Sequence, residues 1–124
     1  MPSTGRLGLI VSAALLLLPA ASAGTTGSGL YGVVKKGPIT PVCRVGVPCD
    51  APAEVTLVFS RGGREVARVR SSKTGHYRIA LAPGVYDVRS TVRIGIQKLP
   101  KPHAVHVRAG HWDRINLFFD TGIR

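Results

Sequence analysis

From Leu30 to Asp120 the chain is built of short runs in which apolar side chains recur at every second position, and no stretch there has the three-and-four spacing of a helix. Successive side chains of a strand point to opposite faces, so each such run has one face to bury. The inward sets are Val55, Leu57 and Phe59; Ala67 and Val69; Tyr77, Ile79 and Leu81; Tyr86 and Val88; Val105 and Val107; and Ile115, Leu117 and Phe119. The runs themselves are 30–36, 53–60, 65–71, 76–81, 85–92, 103–108 and 111–120. Turn chemistry separates them: Gly62-Gly63, Ser72-Lys73-Thr74-Gly75, Ala82-Pro83-Gly84 and Ala109-Gly110. About seven strands joined mostly by hairpins predict an all-β, antiparallel sandwich.

Two stretches do not fit the pattern. Residues 37–52 form a long excursion whose prolines, Pro38, Pro41 and Pro48, lack backbone donors, which excludes a central strand. Residues 93–102 are irregular and end at Pro100 and Pro102.

The first residues read as an address rather than as part of the fold. Arg6 precedes the apolar run Leu7–Leu18, Pro19 breaks it, and Ala21-Ser22-Ala23 matches a cleavage site. The run is shorter than the roughly 20 residues of a membrane span. The expectation is a signal peptide of residues 1–23 on a helix, cleaved to leave a secreted, periplasmic or extracellular chain without a transmembrane span. A flexible leader, residues 24–29, then opens a single domain, residues 30–124. Export favours pairing of the only two cysteines, Cys43 and Cys49, inside the proline-rich excursion. Their spacing is neither that of a redox Cys-x-x-Cys nor that of a four-ligand zinc site.

Charge narrows the partners. The 17 basic residues outnumber the 6 acidic ones, and the net charge is +11. A field of this sign favours anionic partners. For an exported chain these are an anionic envelope polymer, a lipid headgroup or an acidic protein rather than nucleic acid. The plainer alternative is that the charge only keeps the chain soluble.

The run Thr74-Gly75-His76-Tyr77-Arg78-Ile79-Ala80-Leu81-Ala82-Pro83-Gly84-Val85-Tyr86-Asp87-Val88 resembles the carboxypeptidase regulatory-like family: a turn glycine, an aromatic, alternating aliphatics, a Pro-Gly turn and a tyrosine. Gly29–Val34 and the Arg64–Ala67 hairpin are compatible with it. The resemblance implies a prealbumin-like or transthyretin-like sandwich, of immunoglobulin-like strand count, in a small, stand-alone exported bacterial member. Family members usually carry an acidic residue before the turn glycine. Lys73-Thr74 stands there instead, which argues against a calcium-tuned turn. The hydroxyisourate hydrolases that share such sandwiches end in Tyr-Arg-Gly-Ser; this chain ends Thr121-Gly122-Ile123-Arg124, so that activity does not carry over.

The chemistry-bearing residues point to binding. The six carboxylates, Asp50, Glu54, Glu65, Asp87, Asp113 and Asp120, are not placed to converge on one pocket, and there is no nucleophile elbow. No enzyme activity and no cofactor are expected. His103 and His106 fall on opposite faces of a strand, so they and His111 and His76 read as surface imidazoles, not as a metal site. With Ala67 and Val69 inward, Arg68 and Arg70 point outward, as do Arg78 and Arg89. If their strands are neighbours, the four form one anion-binding patch. The second reading is an interaction patch of Val58, Trp112 and Phe118, whose parity is opposite to the core.

Overall fold

The computed structural model describes residues 27–123; the expected signal peptide lies outside them. Within that range there is no helix, and nine strands form two sheets. The strands are β1 (Gly29–Gly37), β2 (Ala51–Pro52), β3 (Thr56–Arg61), β4 (Arg64–Arg70), β5 (His76–Ala80), β6 (Gly84–Ser90), β7 (Ala104–Val107), β8 (Trp112–Arg114) and β9 (Leu117–Asp120). The all-β, two-sheet expectation holds. Its strand count and pairing need correction.

The first sheet is organised around β1. On one edge β5 and then β2 pair antiparallel with it. On the other, β8 and β9 pair parallel with it, at one constant register from Gly29↔Trp112 to Gly37↔Asp120. The expected last strand, 111–120, is therefore present but divided, and the sandwich is mixed rather than wholly antiparallel. At the division, the Val33 amide donates to Asn116 Oδ1 at 3.0 Å, so a side chain replaces a ladder carbonyl. The second sheet runs β4-β3-β6-β7, all antiparallel.

Only the Gly62-Gly63 turn closes the hairpin expected of it, with both glycines at positive φ. The other three turns change sheets, Ala109-Gly110 carrying the chain from β7 to β8. Residues 71–75 carry the chain from β4 to β5, and residues 81–83 carry it from β5 to β6. The expected second strand starts late for the same reason: β2 belongs to the first sheet and β3 to the second, so residues 53–55 cross between them. Buried Ser71 holds that crossing, its hydroxyl donating to the Ala53 carbonyl (2.6 Å) and accepting from the Val55 amide (2.8 Å). The leader is also shorter than expected. Gly29 is already in β1, and the buried Ser28 hydroxyl donates to the Leu81 carbonyl at 2.6 Å.

The core lies between the sheets. Leu30, Val34, Tyr77, Ile79, Leu117 and Phe119 face Leu57, Phe59, Tyr86, Val88, Val105 and Val107, all buried. Phe59 meets Tyr77 across the gap, ring centroids 6.5 Å apart. Ala67 and Val69 are only half-buried because β4 is an edge strand. The Tyr77 hydroxyl donates to the Ile115 carbonyl at 2.6 Å, linking β5 to the β8–β9 junction beneath β1, and burial pushes its pKa well above the ordinary tyrosine value.

Cys43 and Cys49 are disulfide-bonded, Cα atoms 5.5 Å apart, closing the loop between β1 and β2. A bonded pair fits an oxidising compartment.

Candidate functional site

The four arginines of the expected patch do not share a face. Arg68 and Arg70 on β4 and Arg89 on β6 lie on the outside of the second sheet, but Arg78 is on β5, in the first. The crossing at residues 71–75 separates them. The Val58, Trp112 and Phe118 patch is divided too: Val58 is in the second sheet, while Trp112 and Phe118 are in the first. Nor is Val58 an exposed anchor. It is 0% exposed on the face away from the core, and its cross-strand neighbours are Arg68 and Arg89. Their aliphatic stems are placed to cover it while the guanidinium groups reach water.

The outside of the second sheet is electrically mixed. Arg68 makes a bidentate contact to Glu65, 2.7 Å at both nitrogens, and this hydrogen bonding holds the Glu65 carboxyl below its ordinary range. Arg70 lies 3.8 Å from Glu54 and donates to the Thr56 hydroxyl at 3.2 Å. Asp87 and Glu65 flank Ser60 on the neighbouring strands. Exposed pairs of this kind add little stability, but they occupy the guanidinium donors an anion would need.

The outside of the first sheet differs. Its register sets Arg78 and Arg114 on either side of Tyr31. One pair of residues before that row, Ala80 and Trp112 flank Gly29; one pair after it, Val33 lies beside His76 and its amide donates to Asn116 Oδ1; beyond that, Phe118 and Pro52 flank Lys35. The carboxylates of this face, Asp120 and Asp50, lie at its far end beside Gly37, and none stands in the rows of Gly29, Tyr31 or Val33. At that end Lys35 lies 3.8 Å from Asp50 of the loop. Among the described residues Arg78 and Arg114 make no ion pair; aromatic rings hold them instead. The Arg78 guanidinium carbon sits 3.8 Å from the Trp112 ring centroid, and that of Arg114 sits 5.8 Å from Tyr31. Such contacts fix a guanidinium without using its N–H groups.

Gly29 makes room for this arrangement. A Cβ there would come within 2.5 Å of Trp112 Cζ3 and 2.7 Å of Cη2. The indole therefore reaches across the ladder into space that any side chain at position 29 would fill, and there it supports Arg78.

No family model matches the chain, and no curated protein does. The face is thus read from its own chemistry: two fixed guanidinium forks, about 10 Å apart at the backbone across two interstrand spacings, with the half-buried rings of Tyr31 between and Trp112 beside them. Sequence reasoning named Arg78, Trp112 and Phe118 but put them in different patches. It missed Tyr31 and Arg114, although their parity, opposite to Leu30 and to Ile115, marked both as outward.

Proposed function

We propose that this domain is a secreted or envelope-associated binding module that takes an anionic polymer chain across the outside of the β5-β1-β8-β9 sheet. The observation that carries the reading is the row Arg78–Tyr31–Arg114, two aromatic-held guanidinium groups with no carboxylate in their row or in the rows beside it. Guanidinium forks suit carboxylate, sulfate or phosphate oxygens, and the rings add flat surface for the repeating units between those charges. The module binds and does not catalyse. Export rests on the Arg6–Ala23 segment with the Cys43–Cys49 bridge. Membership of the carboxypeptidase regulatory-like family rests on the Thr74–Val88 resemblance together with the two-sheet architecture. That scaffold carries many functions, so the site and not the fold supports the binding role.

Chromatography tests this. A sulfated or polyuronate matrix is expected to retain the protein at low ionic strength and to release it before about 1 M salt, where the screening length falls to about 3 Å. A neutral polysaccharide matrix is expected not to retain it. Equal retention on the neutral matrix, or retention on the anionic one that survives about 1 M salt, would rule the reading out.

A further inference from the structure

The loop joining β1 to β2 is a second surface, distinct from the sheet face. Within it Ile39, Val42, Val45 and Val47 are all exposed, Val45 completely and Val42 to 72%. The loop is nevertheless tightly held. The disulfide closes it, the Ile39 amide donates to the Cys49 carbonyl at 2.9 Å, the Thr40 hydroxyl donates to the Val42 carbonyl at 2.8 Å, and Pro41 and Pro48 carry no amide hydrogen. At its tip the Val47 amide donates to the Arg44 carbonyl at 3.1 Å, making a four-residue turn, and Gly46 has φ of +80°. That φ belongs to the third position of a type II turn and puts Val45 at the apex. A Cβ at Gly46 would meet nothing within 4 Å, so backbone conformation, not space, calls for glycine. The chain thus spends a staple, two prolines and a turn glycine on holding aliphatic side chains out in water.

Cations stand in the turn and at the root of the loop. Arg44 is in the turn, and Lys36 and Arg93 line a cleft at the same end of the sandwich together with Ile39 and Ile123. Asp50, the carboxylate of the loop, is engaged by Lys35. We infer that the disulfide-closed loop is a membrane-contact tip, seating Val42, Val45 and Val47 at the headgroup–acyl boundary of an anionic bilayer while Arg44, Lys36 and Arg93 meet lipid phosphates. Two features favour a bilayer over a second copy of the chain. Val45 stands at a turn apex with the Arg44 cation beside it, while Val42 and Val47 line a shallow hollow behind it. This is a small and charged surface rather than the extended apolar patch of a protein interface, whereas a fluid bilayer deforms around it. Two such strongly basic chains also repel, whereas an anionic leaflet attracts each cation near its surface.

The test uses vesicles of phosphatidylglycerol and phosphatidylcholine, with and without brominated acyl chains. In a Val45→Trp variant the new tryptophan is expected to be quenched by the brominated lipid, while Trp112 of the unsubstituted protein is not. Part of the vesicle binding is expected to survive about 1 M salt, because insertion is not screened. That part should fall about a hundredfold in Val42→Ser/Val45→Ser, about tenfold for each exposed aliphatic removed. Arg78→Gln/Arg114→Gln leaves it unchanged, which separates the tip from the sheet face. An unquenched tip tryptophan, or complete release of the unsubstituted protein by salt, overturns the inference. So does a salt-resistant dimer that the serine variant breaks, because the tip would then be a contact between copies.

Discussion

Glutamine in place of both Arg78 and Arg114 is expected to lower affinity for a sulfated oligosaccharide about a hundredfold at fixed, moderate salt. Each guanidinium offers an anion a charge-assisted hydrogen-bond pair worth about 1.5–3 kcal/mol, and about 1.4 kcal/mol is tenfold in affinity. The low end of that range for two side chains gives the hundredfold loss. The comparison that makes the result specific is Arg68→Gln/Arg89→Gln on the other sheet, which removes the same formal charge. Both variants weaken the long-range field equally, so the difference between them reports local contact alone. The second variant is expected to lose only a few-fold, because Arg68 already directs its donors at Glu65. Titration calorimetry on the two double variants provides the comparison. Equal losses would mean that affinity follows net charge and that the Arg78–Tyr31–Arg114 row is no site.

The largest loss of stability is expected from Phe59→Ala. Phe59 is 0% exposed, central in β3 between β4 and β6, and opposite Tyr77 of the other sheet. Truncating a buried phenylalanine costs about 3–5 kcal/mol, the burial lost plus the cavity left. Small domains have a total of about 5–15 kcal/mol, so this change uses much of what is available. At about 4–8 °C per kcal/mol for a domain of this size, the thermal midpoint should fall by about 15–30 °C. Calorimetry of the variant checks this. A fall of only a few degrees would mean that the two sheets do not depend on each other at this point. The disulfide does not compensate, because it closes a loop outside the sandwich core.

Which side chains face inward was legible from alternation alone. Leu57 and Phe59, Tyr77 and Ile79, Tyr86 and Val88, and Leu117 and Phe119 are all buried as their parity implies. Parity also marked Arg78, Trp112 and Phe118 as outward. What alternation does not carry is which sheet a strand joins. Ser72-Lys73-Thr74-Gly75 has the composition of a hairpin turn, yet it serves a crossing, because Ser71 ties the end of β4 to the crossing strand at Ala53 and Val55. That one change of sheet moved Arg78 away from Arg68, Arg70 and Arg89 and brought it beside Trp112. The parallel pairing of β1 with β8 and β9 spans most of the chain, and no local spacing signals such a contact. Tyr31 and Arg114 become neighbours only through it. Val58 shows another limit: it is outward by parity and still buried, because arginine stems flank it on both sides.

The outside of the first sheet is where an anionic chain is expected to lie. Backbone amide shifts of the isotope-labelled domain, followed as a sulfated oligosaccharide is added, report on that directly. The expected perturbations cluster on Tyr31 and Val33, on Arg78 and on Trp112 and Arg114, with the indole N–H among the largest, while Arg68, Arg70 and Arg89 stay near their starting positions. Shifts concentrated on β4 and β6, or spread evenly over every cationic surface of the domain, would contradict it.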